Sequence, residues 1–203
     1  MKSWKQIGLL SSFLFLVPLS ADCEDTCVEP DPCAEQNRHS FKIRGAAFFP
    51  QGSITKKIYG KVWPEGSLEY NYRWDSHFSV FVNGAVTGKK GHSIGLRHST
   101  NIVLVPLTIG INARFGSSWV HPYLGIGVGG AYAHITNHSH FVKRHSNNWG
   151  FASLFQVGVE LDCNSWFFID LFGDYRWNHF SFNKQSSRQT GGFDVGAGLG
   201  FRF

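Results

Sequence analysis

Gly191-Gly-Phe-Asp-Val-Gly-Ala-Gly-Leu-Gly-Phe-Arg-Phe203 ends the chain, and its alternation decides the fold. Phe193, Val195, Leu199, Phe201 and Phe203 fall on one parity; Asp194, Gly196, Gly198, Gly200 and Arg202 fall on the other. Successive side chains of an extended strand point to opposite faces, so this segment is a strand with one apolar face and one small or polar face.

The same period of two runs back along the chain from this strand. Phe167, Ile169, Leu171 and Tyr175 oppose Asp170, Asp174 and Arg176, and Leu68, Tyr70, Tyr72 and Trp74 oppose Glu69, Asn71 and Arg73. Eight strands are expected, at 40–49, 65–74, 77–87, 101–114, 120–133, 149–161, 165–176 and 191–203. Residues 102–106 are apolar on both parities, so pattern alone does not orient that strand. Three connections, at 74–77, 115–119 and 162–165, are tight and rich in Asp, Ser, Gly and Asn; four others, at 50–64, 88–100, 134–148 and 177–190, are long. Short turns on one side and long loops on the other, joining strands of about 10 residues, are the pattern of a barrel that crosses an outer membrane. An even strand count leaves both ends of the barrel in the periplasm.

Parity does not say which face points inward. A soluble lipid-binding barrel turns its apolar face in; a membrane barrel turns it out. Trp63, Trp74, Trp119, Trp149, Trp166 and Trp177 all stand at strand ends, three on the turn side and three on the loop side, which reads as two aromatic girdles at the membrane interfaces. Gly125, Gly127, Gly129, Gly196, Gly198 and Gly200 lie on the polar parity, where small residues suit the crowded interior of an eight-stranded barrel.

The N-terminus precedes this pattern. Lys2 and Lys5 followed by apolar Ile7–Leu19 and Leu19-Ser20-Ala21 read as a signal peptide over 1–21, with the mature chain starting at Asp22. A lipoprotein would need a small residue before Cys23, where Asp22 stands. Residues 22–39 form an acidic tail without apolar periodicity, and 40–203 form the barrel domain. At 203 residues, with 16% aromatic and 16% charged residues, the chain is one domain and not a disordered one.

The ending Gly-Ala-Gly-Leu-Gly-Phe-Arg-Phe resembles the last strand of bacterial outer-membrane proteins, and residues 40–203 resemble the small eight-stranded barrels of the OmpA-like and OmpW-like type. The resemblance implies an all-β, antiparallel up-and-down transmembrane barrel in the bacterial outer membrane. It also implies that terminal Phe203 is read by the barrel-assembly machinery. The peptidoglycan-binding domain that follows the OmpA barrel has no counterpart here.

On the polar face Lys42, Arg44, Arg73, Arg114, Arg176 and Arg202 nearly balance Glu69, Glu160, Asp170, Asp174 and Asp194. Buried charges persist when paired, so a lumen-plugging ion-pair network is expected; a gated ion path is the sharper alternative. Lys56, Lys57, Lys61, Lys89, Lys90, Arg97, Lys143, Arg144, Lys184 and Arg188 make the long loops basic, against Glu65 alone near a strand start. Such loops suit lipopolysaccharide phosphate or an acidic surface glycan, as an adhesin would bind. Nothing resembles a nucleic-acid-binding module.

His134, His138, His140 and His145 cluster in one loop at a spacing that matches no metal motif, so no metal or cofactor is expected. His179-Phe180-Ser181 resembles the His-x-Ser pair of barrels that deacylate lipid A; Phe193 stands where an orienting acid is wanted, so a lipid A-modifying enzyme is the second reading. Cys23, Cys27, Cys33 and Cys163 lie on the periplasmic side, in an oxidising space, and are disulfide candidates. Their partners remain open between an internal clip, Cys163 to the tail, and links between molecules.

Overall fold

The computed structural model describes residues 38–92, 99–116, 119–137, 145–182, 186–189 and 191–203. The expected signal peptide and the tail cysteines Cys23, Cys27 and Cys33 lie outside these residues, as do His138, His140, Arg97, Lys143, Arg144 and Lys184.

The described strands are β1 (His39–Pro50), β2 (Trp63–Arg73), β3 (Phe78–His92), β4 (Ser99–Arg114), β5 (Val120–Asn137), β6 (His145–Asp162), β7 (Phe167–Phe182), β8 (Ser186–Gln189) and β9 (Gly192–Arg202). A short helix, α1 (Ser53–Tyr59), lies between β1 and β2. Each long strand pairs antiparallel with the next, and β9 pairs with both β7 and β1. That last pairing closes an eight-stranded up-and-down barrel; β8 is a short hairpin arm on the outer end of β7.

The barrel is apolar outside and polar inside. Leu68, Leu107, Ile109, Ile126, Val128, Leu171 and Val195 are exposed, whereas Lys42, Arg44, Glu69, Asn83, Gln156, Asp170, Asp174 and Asp194 are buried. A soluble lipid-binding barrel has the reverse polarity, so that reading is excluded.

The strands run further outward than apolar periodicity suggested. β3 reaches His92, β5 and β6 extend to Asn137 and His145, and β7 reaches Phe182. Backbone pairing does not need apolar side chains, so polar hairpins continue beyond the lipid-facing band. α1 was not foreseen either. Seven residues are too few to show a helical period, and its end is set by Gly60, at φ 87°, a left-handed conformation that glycine adopts freely.

The outer half of the lumen holds an unforeseen apolar layer. Phe48, Tyr59, Trp63, Ile102, Leu104, Ala131, Ala133, Ala152 and Phe180 pack together there. Residues 102–106 are apolar on both parities for this reason: Ile102 and Leu104 face the layer, and Val105 faces lipid.

Trp63 corrects the expected girdle. It is 0% exposed, packs edge-on against Phe48 and Tyr59, and donates its indole N–H to the Gly60 carbonyl. It shares the inward parity of Glu65, Ser67 and Glu69, so being at a strand end did not place it at an interface. Trp74, Trp119, Trp149, Trp166 and Trp177 are exposed on the outer face.

Candidate functional site

The inner wall is built by register. Lys42 and Glu69 stand directly across the β1–β2 ladder, and Glu160 and Asp170 directly across the β6–β7 ladder. Two carboxylates facing each other in a dry interior repel unless a cation stands between them. Lys42 does so: its Nζ lies 2.9 Å from Glu160, 3.3 Å from Glu69 and 3.9 Å from Asp170.

Arg44 is the hub of the next level. Its row across the barrel reads Arg44, Gly198, Asp170 on β1, β9 and β7. Gly198 has no side chain, so Arg44 reaches across it and donates Nε–H to Asp170 at 2.6 Å. It also donates to Glu69 at 2.7 Å and to the Tyr123 hydroxyl at 2.8 Å, which donates on to Asp170 at 2.9 Å. Glu69 accepts further from Asn71, Asn83 and Gln156. Above this level Arg176 pairs with Glu65 at 2.6 Å and Asp194 at 3.3 Å, and Asp174 lies 3.8 Å from Arg44.

At the mouth with the short turns Arg202 makes a two-pronged bond to Asp162, at 2.8 and 2.7 Å, and reaches Glu160 at 3.1 Å. Arg114 lies 3.2 Å from Glu160 and 3.5 Å from Asp162.

Ten of the eleven charged residues read onto the polar face are thus brought together in ion pairs. Arg73 is the exception: it is half-buried at the mouth, with no ion pair to a described carboxylate. Glu65, weighed at its strand start against the cations of the loops, is a second correction; it is 6% exposed and faces the lumen. Tyr123, Gln156, Asp162 and Asn83 join the network beyond the residues expected from the sequence. Their signal was parity: Gln156 and Asp162 share the face of Glu160, and Tyr123 shares that of Gly125 and Gly127.

At the outer rim α1 packs against β3. The Ile58 carbonyl and the Tyr59 ring come so close to Gly91 that any Cβ there would overlap them. The contact brings the segment that carries Lys56, Lys57 and Lys61 to the end of β3 that carries Lys89 and Lys90; all but Lys89 are exposed. The 50–64 and 88–100 segments contain no Asp or Glu, so nothing of their own neutralises the patch.

His179 faces outward beside Trp177, and its cross-strand neighbours are Phe151 on β6 and Gln189 on β8. Neither is a carboxylate, and Asp194 is 0% exposed inside the barrel. The Ser181 side chain lies outside the described residues. His134 meets Asn147 at 2.6 Å, and no group of three metal-ligating side chains occurs among the described residues. Cys163 is exposed in the β6–β7 turn. Phe203 sits at the β1–β9 seam, its ring stacked on His39 at 5.8 Å.

The family model described as outer membrane protein beta-barrel domain matches residues 31–203. No curated protein sequence matches this one. Among solved structures the chain is similar to Neisserial surface protein A, at 14% identity and a TM-score of 0.60, covering 81% of this chain and 97% of that one. It is similar to Ail of Yersinia pestis in complex with the heparin analogue sucrose octasulfate, at 18% identity and a TM-score of 0.54, covering 83% and 99%. It is also similar to OprG from Pseudomonas aeruginosa, at 17% identity and a TM-score of 0.54, covering 83% and 97%. Identities this low carry the fold alone. With a closed barrel that is apolar outside, and a family model spanning all of it, the chain belongs to the outer membrane protein β-barrel domain family and is a protein of the bacterial outer membrane.

Proposed function

We propose that this barrel is a non-enzymatic surface protein with a closed lumen, whose basic outer rim binds acidic glycans or lipopolysaccharide in the manner of an adhesin. The observation that carries the reading is the lysine patch of α1 and β3, set on one side of the rim without a counter-charge in its own loops. Lysine is a compact, flexible point charge, suited to a polyanion whose groups are not fixed in one geometry. The structure of Ail with sucrose octasulfate supports the choice of ligand class by analogy of fold.

Two layers support a closed lumen: the ion pairs from Lys42 to Arg176, and above them the apolar packing of Phe48, Trp63, Leu104 and Phe180. In planar bilayers the protein should give no stable conductance steps; regular steps would exclude a closed lumen. Neither cross-strand neighbour of His179, Phe151 nor Gln189, is an acid that could orient it, and without one a histidine is a weak base for serine, which disfavours the deacylase reading.

The binding test uses the folded protein in detergent, on immobilised heparin and on lipopolysaccharide. Replacing Lys56, Lys57 and Lys90 together by Gln should move elution from heparin to clearly lower salt. Loss on heparin alone assigns the patch to sulfated glycans; loss on lipopolysaccharide alone assigns it to the leaflet. Unchanged elution from both would remove the patch from the function.

A further inference from the structure

At the opposite end of the barrel a recess opens between Ser79, Asn112, Arg73 and Arg114, at the periplasmic ends of β2, β3 and β4. Its charges do not balance. Arg114 and Arg202 converge there on Glu160 and Asp162, Glu160 itself lines the recess and is already held by Lys42 at 2.9 Å, and Arg73 lines it without an ion pair to a described residue. The Arg73 side chain makes no hydrogen bond or ion pair among the described residues; Arg202 repels it, while Glu160 and Asp162 attract it from beyond contact distance. Arg114 has two buried donors, Nε and Nη2, that lie near carboxylates without making a well-directed hydrogen bond. Arg73 and Arg114 share a confined, partly dry recess with Arg202 close by; Glu160 and Asp162 offset their mutual repulsion only in part, and a mobile anion is the simplest group to offset the rest. Planar guanidiniums match the spacing of oxygens on carboxylate and phosphate.

We propose that this recess binds one small oxyanion from the periplasm, of the size of phosphate, with Arg73 and Arg114 as its cationic donors and the Ser79 hydroxyl and Asn112 amide at its edge. The site is separate from the lysine patch: it opens on the other side of the membrane and is built from strand ends, not loops. Its register is fixed by the sheet, where Arg73 stands opposite Ser79 and Ser79 opposite Asn112. A site on paired strands is held more rigidly than one on loops, which favours a small defined ligand over a polymer.

The test is calorimetry on the folded full-length protein in detergent, with inorganic phosphate as the probe and acetate as a second arm. Saturable one-to-one binding of phosphate is expected. Binding of acetate as well would define the site as a general oxyanion site; its failure would define a tetrahedral one. Arg73→Gln should weaken binding roughly tenfold or more, the loss expected for one charge-assisted donor, and Arg73→Lys should restore part of it. The triple loop-lysine variant should bind phosphate normally, so the two sites fail independently. Because a variant can fold poorly, wild-type protein is also treated with an arginine-selective dicarbonyl reagent. Phosphate should protect Arg73 and Arg114, as mapped by mass spectrometry of the modified peptides. No saturable binding and no protection, or binding that disappears only with the loop lysines, would overturn the proposal.

Discussion

Gly198 shows how much a missing side chain decides. A Cβ there would lie 2.8 Å from Cγ of Arg44, pushing the guanidinium off the line to Asp170. Gly200 does the same one row lower, where a Cβ would overlap the Phe168 ring. Sequence reading placed these glycines on the inward face and read them as crowding; it did not show what each one makes room for. Gly198→Leu should therefore destabilise the barrel about as much as Arg44→Met. Removing one partner of a buried ion pair costs roughly 3–5 kcal/mol, because Glu69 and Asp170 keep their charge and lose their hub. Leu171 is exposed on the lipid-facing side of β7, and Leu171→Arg should cost about 2–4 kcal/mol if it lies near the midplane. Both are read from urea titrations of refolding into lipid vesicles. A loss within 0.5 kcal/mol for Gly198→Leu would mean that Arg44 has another route.

Among elements, α1 carries the most function for its length. Seven residues do not make a stable helix in water, so its position depends on packing. Tyr59 anchors it in the apolar layer with Trp63, and Gly91 lets it approach β3. Gly91→Leu should dislodge α1 and scatter the lysine patch while leaving the barrel closed. The expected outcome is earlier elution from heparin with unchanged heat-modifiability on a denaturing gel; unchanged elution would show that α1 does not organise the patch. None of this was legible beforehand. The loop showed its lysines and its lack of acid, but the contact that gathers them comes from a neighbouring strand. The long strands were legible because each repeats the same period, whereas their polar outer ends were not.

For the whole molecule, closure depends on the β1–β9 seam. His39 and Phe203 exchange backbone hydrogen bonds at 3.2 and 3.0 Å, and their rings stack beside Tyr70 and Tyr72. Closing the sheet removes both edges, the condition for a sheet to stand in lipid. Deleting Phe203 should reduce insertion and leave protein in the periplasm, as its role in the resembling families implies. Phe203→Tyr should behave nearly as the parent, since stacking survives. Cell fractionation with the unboiled-gel shift reads both; full, heat-modifiable barrel from the deletion would take Phe203 out of assembly.

The eight barrel strands and their order, the division of most strands into two faces and the short-turn side were determined by the sequence alone. Each depends on residues close together in the chain: a period of two, a turn of a few polar residues, an even count. The tertiary structure alone decided which charges meet, why Trp63 turns inward and Arg73 stands apart, and where the lysines gather. Those outcomes depend on the stagger of a closed sheet, which brings together residues as distant as Arg44 and Asp170, 126 positions apart. A local pattern holds no record of that stagger, because sliding a strand by two residues keeps every face and changes every partner.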